Sequence, residues 1–211
     1  IYDANSSSTT ATLVRSEGQG PCAVADANAA YDYFGHTYDF YLNAHARLSI
    51  DNADMTMVAI VRYCDPEQCP MQNAFWSGTE NRMYFGAGFV VDDVVAHELT
   101  HGVTQYESGL IYYGQSGAIN EALSDIWGEF VDLGNAQGND AASVRWLMGE
   151  DLPSGAIRDM ENPPAYYQPD KMTSAYYYEG AADNGGVHIN SGVANKMCFL
   201  LTDGGTFNGQ T

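Results

Sequence analysis

The pattern of hydrophobic and polar positions in residues 1–90 predicts one long helix among short strands. In segment 26–48, apolar residues recur at three- and four-residue steps or their multiples, which is the spacing of one helix face. These residues are Tyr31, Phe34, Tyr38, Tyr41 and Leu48. Segment 56–63 is a β-branched run with apolar residues on both faces, a pattern typical of a buried strand. Shorter strands are predicted at 11–15, 73–76 and 82–85.

Helical spacing dominates residues 91–211. In segment 92–106, Val95, Leu99 and Val103 form an apolar stripe at four-residue steps. A second helix is predicted at 118–133, and its expected core side consists of Ile119, Leu123, Ile126 and Phe130. The other predicted features are an apolar stretch at 144–148, an irregular region to about 180, a loop at 183–189 and a last helix at 191–202. The pattern therefore predicts an α+β fold, with a β-rich N-terminal lobe at 1–90 and a mostly helical lobe at 91–211, and with helix 92–106 between them.

Composition narrows the function classes. Of the 211 residues, 45% are hydrophobic and 17% are charged, which indicates a globular chain. The formal net charge of −19 repels phosphate backbones, so we expect no nucleic-acid partner, and it favours multivalent cations. No apolar run approaches the roughly 20 residues of a transmembrane helix, so we expect no membrane partner. The chain begins at Ile1, from which we expect processing of a larger precursor.

Two of the four cysteines are placed to form a local disulfide, which would imply an oxidising compartment. Cys64 and Cys69 enclose a short proline-containing turn, which favours a local disulfide over a metal knuckle, because no second Cys or His pair lies nearby in sequence. Such a bridge would fit a secreted protein. The pairing of Cys22 and Cys198 remains open: they pair with each other, stay free, or pair with a residue outside this chain.

Helix 92–106 carries the pattern H-E-x-x-H, with His97, Glu98 and His101. Residues at i and i+4 project from one helix face, so both histidines can bind one metal ion with Glu98 beside them. This is the helix pattern of zinc proteases, in which the glutamate is the general base. The alternative is an amphipathic helix with two solvated histidines.

A catalytic zinc needs a third protein ligand. The segment G-A-I-N-E-A-L-S-D at 117–125 offers Glu121 on a separate helix, with Asp125 four residues later on the same face. The twenty residues between His101 and Glu121 suffice to end one helix and present a second one antiparallel to it. Asp125 is then placed to accept the outer N–H of a ligating histidine, which zinc sites commonly require.

At this point the chain resembles the thermolysin-like neutral zinc metalloproteases. The matching pieces are N-A-F-W (73–76), D-V-V-A-H-E-L-T-H (93–101), S-G-L-I-Y (108–112), G-A-I-N-E-A-L-S-D (117–125), I-R (157–158) and D-N-G-G-V-H-I-N-S-G (183–192). They occur in family order across about three quarters of the chain. The family is also the standard example of a zinc site with two histidines and one glutamate, so the resemblance implies the same ligand set that the helix spacing predicts.

The resemblance implies a role for each matching residue. It implies that His97, His101 and Glu121 bind one catalytic zinc ion, and that Glu98 takes a proton from the zinc-activated water. It further implies that Asp125 orients His97. Tyr112 and His188 are the implied hydrogen-bond donors to the oxyanion, and Asp183 is the implied partner that holds His188. The residues it assigns to substrate binding are Asn73, Ala74, Arg158, Val94, Met148 and Ile157. Among these, Val94, Met148 and Ile157 are apolar, which implies cleavage before Leu, Phe or Ile.

One structural calcium ion is implied as well. Asp93, Asp132 and Glu150 match calcium-ligand positions of the family, and Glu129 lies one helical turn before Asp132. Four carboxylates without basic partners are unfavourable unless a cation binds. Leu147 occupies the position where relatives with two adjacent ions carry another acid, so we expect one ion.

The chain departs from the family by being shorter at both ends. We expect a missing or separate C-terminal segment, because without it the side of Ile126 and Phe130 and part of the last helix would be uncovered. The leading hypothesis is a secreted zinc endopeptidase acting on peptides or proteins. The alternatives are a zinc aminopeptidase, for which we find no acidic anchor for a free amine, and a non-catalytic module stabilised by zinc and calcium.

Overall fold

The N-terminal part of the computed structural model, which describes residues 1–211, contains one five-stranded sheet. Its strands are β1 (Tyr2–Asp3), β2 (Thr12–Leu13), β3 (Ala59–Val61), β4 (Ala74–Ser77) and β5 (Arg82–Phe85). Their spatial order is β2-β1-β3-β5-β4, with β3 parallel to both of its neighbours and the other pairs antiparallel. Strand β4 is therefore an edge strand with one unpaired side.

Strand β3 is shorter than the predicted segment 56–63. Ala59, Ile60 and Val61 are all buried, as the β-branched run requires. Arg62 adopts φ of +52°, outside the extended region, so the strand ends at Val61. The Cys64–Cys69 disulfide follows directly and confirms the predicted local bridge, whereas Cys22 and Cys198 form no disulfide in the structure.

Helix α1 (Ala25–His45) covers the sheet with a face of small and aromatic side chains. Its buried residues are Ala27, Ala30, Phe34, Thr37 and Tyr41. The prediction that the helix reaches Leu48 is wrong, because Ala46 turns left-handed at φ of +53° and ends it. Leu48 then lies outside the helix and is 42% exposed.

Helices α2 (Asp92–Glu107) and α3 (Gly114–Asn135) pack against each other behind the sheet. They run antiparallel, because Gly128 lies against the backbone of Asp93 near the start of α2 while Asn120 lies beside His101 near its end. A Cβ atom at Gly128 would lie 2.8 Å from the Asp93 carbonyl oxygen, so glycine permits this close approach.

The buried face of α3 differs from the predicted one. Ile119 is 47% exposed, so its placement in the core is wrong. The side facing α2 carries polar residues instead, which are Asn120, Glu121, Ser124, Asp125, Glu129 and Asp132. The expectation that Ile126 is uncovered is also wrong, because it packs in a second core with Trp146, Met160 and Cys198.

The remaining elements close the C-terminal part around α3. Strands β6 (Leu147–Met148) and β7 (Arg158–Asp159) pair antiparallel, and a 3₁₀ turn spans Pro163–Tyr166. Helices α4 (Ala182–Asn190) and α5 (Gly192–Asp203) follow, so the predicted loop at 183–189 lies within a helical segment that begins with a left-handed turn. No helix is both long and apolar enough to cross a membrane.

Candidate active site

Three side chains from two helices converge on one point. Helix α2 presents His97 and His101 on the same face, with their Nε2 atoms 3.0 Å apart. Helix α3 presents Glu121, whose Oε2 lies 3.5 Å from His97 Nε2 and whose Oε1 lies 3.3 Å from His101 Nε2. All three donor atoms lie within 4.8 Å of one another.

These residues fit a zinc ion. Two imidazole nitrogens and a carboxylate are a standard catalytic donor set, which leaves one position open for water. The Oε2 atom of Glu121 is fully buried and has no hydrogen-bond partner in the protein, which is costly unless a cation binds it. Burial opposes ionisation, yet His101 holds the pKa of Glu121 well below its ordinary value. Burial likewise lowers the pKa of His101, but Glu121 outweighs it and raises that pKa to about 9.

A second set of contacts fixes the histidine rings. Oδ1 of Asp125 lies 2.9 Å from His97 Nδ1, and the Asp125 side chain is completely buried. Arg158 Nη2 donates to the same Oδ1 at 2.6 Å, while Asn195 Nδ2 donates to Oδ2 at 2.8 Å. Burial alone would raise the pKa of Asp125, but the charge of Arg158 lowers it. The carboxylate therefore stays ionised between the His97 ring and a guanidinium.

Two asparagines in this site were not identified from the sequence. Asn120 Oδ1 lies 2.8 Å from His101 Nδ1, the same relation that Asp125 has to His97. Asn195 reaches Asp125 from helix α5, seventy residues away. The only local signal for Asn120 is its position next to Glu121, and a lone asparagine in α5 carries none.

Tyr112 and His188 lie beside the three converging side chains, and both contact Glu121. The Tyr112 hydroxyl lies 3.1 Å from His188 Nε2 and donates a hydrogen bond to Glu121. Asp183 binds His188 twice, with Oδ1 at 2.6 Å from Nδ1 and Oδ2 accepting the backbone N–H at 3.0 Å. Burial, followed by the charge of Glu121, raises the pKa of Tyr112, so its hydroxyl stays protonated.

A left-handed turn places Asp183 under His188. Four consecutive residues, 183–186, have positive φ values of 52°, 49°, 83° and 77°. Asn184 tolerates this region better than most side chains, and Gly185 and Gly186 adopt it without steric cost. This turn places the Asp183 carboxylate within hydrogen-bond distance of both the ring and the backbone N–H of His188.

His97, His101, Tyr112 and His188 line a cleft of about 520 Å³ between β4 and helix α2. Its lining contains the predicted substrate-binding residues, which are Asn73, Ala74, Val94, Met148, Ile157 and Arg158. Glu98, 6% exposed, borders the same cleft. Arg158 reaches the cleft while Asp125 holds its guanidinium.

The predicted calcium ligands form a separate cluster, in which Asp93, Glu129 and Asp132 are buried and Glu150 is half-buried. Asp93 lies at the start of α2, Glu129 and Asp132 lie near the end of α3, and Glu150 follows β6. Glu129 Oε1, Asp132 Oδ1 and Glu150 Oε2 are buried atoms without a hydrogen-bond partner. Burial and the neighbouring carboxylates raise the pKa of Glu129 to about 10 and that of Asp132 to about 9. Asp92, absent from the predicted set, adds its charge to this cluster.

Comparison with known proteins decides the family. A model described as the thermolysin metallopeptidase catalytic domain matches residues 1–105, and one described as the thermolysin metallopeptidase alpha-helical domain matches residues 108–211. The chain belongs to the thermolysin metallopeptidase family. This confirms the family and the α+β fold predicted from the sequence.

Individual relatives in the thermolysin family support the assignment. A zinc metalloproteinase of Renibacterium salmoninarum is 44% identical across 93% of this chain, and a thermolysin of Alicyclobacillus acidocaldarius subsp. acidocaldarius is 41% identical across 88%. The solved precursor of protealysin, a metalloproteinase from Serratia proteamaculans, matches with a TM-score of 0.78 and 39% identity over 92% of this chain and 65% of its own. The chain spans 39% of the first relative's length and 34% of the second's.

Proposed function

We propose that this chain is a zinc-dependent endopeptidase. The observation that carries the proposal is the convergence of His97, His101 and Glu121 at the side of a cleft that also contains Glu98. A zinc ion held by the three ligands supplies Lewis acidity to the attacking water and the scissile carbonyl. Family membership and similarity to proteins named as zinc metalloproteinases support the same reaction class.

Glu98 is the proposed general base. It follows His97 directly on α2, so the helix that fixes the metal ligands also fixes this carboxylate. Glu98 accepts a proton from the attacking water and delivers it to the amine of the leaving peptide. Its near-complete burial beside the cleft limits competing contacts with bulk water.

Tyr112 and His188 are the proposed oxyanion donors. Both side chains line the cleft, and their polar atoms lie 3.1 Å apart, so both can donate to one substrate oxygen. Removing one such donor typically costs about 3 kcal/mol of barrier. Asp183, bound to the Nδ1 side of His188, keeps its Nε2 directed into the cleft.

The proposed substrate is an extended polypeptide with a bulky apolar residue after the scissile bond. The free edge of strand β4 begins at Ala74, and Asn73 directly precedes it. The substrate backbone is proposed to pair with this edge, which gives affinity with little sequence preference. Val94, Met148 and Ile157 line the apolar part of the cleft, which fits Leu, Phe or Ile. Arg158 is the proposed donor to a substrate carbonyl.

Digestion of an internally quenched peptide tests the function. Cleavage should occur, stop on addition of a zinc chelator and return with zinc. Glu98→Ala should reduce kcat at least a hundredfold, because the proton-transfer group is removed while all metal ligands stay. Chelator-resistant cleavage, or a fully active Glu98→Ala protein, would overturn the proposal.

We propose also that Asp93, Glu129, Asp132 and Glu150 bind one calcium ion. The unpartnered buried oxygens at three of these residues support it, because calcium would replace their missing partners. Calcium should raise the thermal midpoint of the wild type. Glu129→Gln should stabilise the calcium-free protein, because the raised pKa of Glu129 forces this carboxyl to take up a proton on folding and glutamine removes that cost. The same substitution should weaken the calcium response. Equal midpoints with and without calcium in the wild type would contradict this site.

Secretion is the proposed localisation. The Cys64–Cys69 disulfide supports it, because such bridges persist mainly in oxidising compartments. Expression of the natural gene in its host, followed by measurement of the protein in cells and medium, tests this directly. Recovery from the cell interior with both thiols reduced would contradict it.

A further inference from the structure

We propose that Gln105 is a positioning residue that fastens the edge of the substrate cleft to the helix carrying the metal ligands. This inference rests on the proposed function and concerns the same cleft. Gln105 lies four residues after His101 on α2, so both side chains project from the same helix face. The cleft lining contains both residues.

The Gln105 amide makes two hydrogen bonds to the end of β4. Its Oε1 accepts the indole N–H of Trp76 at 2.9 Å, and its Nε2 donates to the carbonyl oxygen of Gly78 at 3.2 Å. A primary amide can satisfy both contacts because it carries an acceptor and donors on one plane. A carboxylate would keep the first contact only, and an aliphatic side chain would keep neither.

Two glycines leave room for this arrangement. A Cβ atom at Gly78 would lie 2.2 Å from Gln105 Oε1, so any larger residue would displace the amide. A Cβ atom at Gly102 would lie 3.2 Å from Cη2 and Cζ2 of the Trp76 indole, tighter than ordinary packing. The indole therefore lies directly on the α2 backbone, and Gln105 holds its polar edge.

The hydrogen bonds of Gln105 to Trp76 and Gly78, which we call the clasp, connect two parts of the proposed site. Strand β4 is the free edge on which the substrate backbone is proposed to pair, and α2 carries His97, Glu98 and His101. The pairing edge keeps its distance from the reacting centre only if β4 stays fixed to α2. We infer that Gln105 acts mainly on substrate binding, because β4 would hold ground state and transition state alike.

Kinetics on the full chain test this role. Gln105→Leu should raise KM about fivefold to tenfold, the value of one or two modest hydrogen bonds, with kcat changed less than about twofold. Gln105→Glu should fall between Gln105→Leu and wild type because it retains an acceptor for Trp76. Gly78→Ala should resemble Gln105→Leu without altering the amide itself. Gln68→Leu, at an exposed site in the disulfide loop, is the matched control and should match wild type.

A double-mutant cycle and an indole signal show whether Gln105 acts through Trp76. In a Trp76→Phe protein, adding Gln105→Leu should change KM by less than about twofold, since the shared contact is already absent. The indole N–H resonance of Trp76 is assigned in the wild-type spectrum by its loss in Trp76→Phe. In Gln105→Leu this resonance should lie upfield of its wild-type position.

The two proposals fail in different ways. Absence of chelator-sensitive cleavage in wild type would overturn the proposed function, while the indole resonance would still report on the clasp. If the wild type is active, three results would overturn the clasp and leave the proposed function intact. They are an unchanged KM in Gln105→Leu, an unmoved indole resonance in that variant, and KM effects that multiply in the double variant.

Discussion

Asp125 joins a proposed metal ligand to the surrounding core through one carboxylate. It contacts His97, Arg158 and Asn195, which come from three different elements, and it is completely buried. Because Arg158 is buried as well, forming the Asp125–Arg158 ion pair requires the removal of two charged groups from water. Removing one partner leaves the other charge uncompensated.

Asp125→Ala should therefore lower both stability and metal affinity. We expect a loss of about 3–5 kcal/mol in the free energy of unfolding, since Arg158 is left unpaired in the interior. Zinc affinity should fall about 10-fold to 100-fold, because His97 loses the group that orients its ring. Urea unfolding and zinc competition with a chromogenic chelator measure the two effects. Asp39→Ala, at an exposed position, is the control, and equal stability of both variants would contradict the account.

At the residue scale, the zinc ligands could be predicted from the sequence because their spacing follows from helix geometry, and the structure brings the three side chains together. His97 and His101 at four-residue spacing needed no tertiary information, and Glu121 followed from the requirement for a third ligand. Asn120, Asn195 and Gln105 carry no such spacing. Their roles depend on contacts between elements that only the folded chain defines.

At the element scale, the polar face of α3 shows why its core side was predicted wrongly. Hydrophobic periodicity assumes that a helix buries apolar residues, and on that basis Ile119 was placed in the core. In the structure, α3 turns Glu121 and Asp125 toward α2, which leaves Ile119 in solvent. Asn120, Glu121 and Asp125 have hydrogen-bond partners there. The proposed zinc and calcium ions would bind the unpartnered carboxylate oxygens of Glu121, Glu129 and Asp132.

Strand β1 is tied to the end of β3 by an ion pair that depends on pH. Arg62 Nε donates to Asp3 Oδ1 at 2.8 Å, and Arg62 Nη2 donates to Asp3 Oδ2. Hydrogen bonding from Arg62, opposed in part by burial, lowers the pKa of Asp3 below its ordinary value. The stabilisation is therefore fully present above the unfolded carboxyl pKa of about 3.9 and is lost as pH falls through the lower folded value.

Asp3→Asn should lower the free energy of unfolding at pH 7. The difference from wild type should shrink below about pH 4, since protonation of Asp3 then removes the same charge in the wild type. Denaturant unfolding across this pH range measures the effect, with Asp39→Asn as an exposed control. A difference that stays constant down to the lowest accessible pH would contradict the ion-pair account.

At the scale of the whole molecule, the net charge of −19 opposes the compact state through self-repulsion. The Debye length falls from about 10 Å at 0.1 M to about 3 Å at 1 M salt, which screens this repulsion. The thermal midpoint should therefore rise with potassium chloride over this range when calcium and zinc are held constant. Calorimetry measures it, and a midpoint that falls or stays level would show that the acidic surface does not limit stability.

The zinc site is the centre of the account, and zinc titration of the chelator-treated protein tests it most directly. For wild type, bound zinc and peptide cleavage should rise together and saturate at one equivalent per chain. Glu98→Ala should bind the same single equivalent and stay inactive, because its ligands His97, His101 and Glu121 are intact. Cleavage by Glu98→Ala at one equivalent of zinc, or wild-type protein that binds none, would contradict the account.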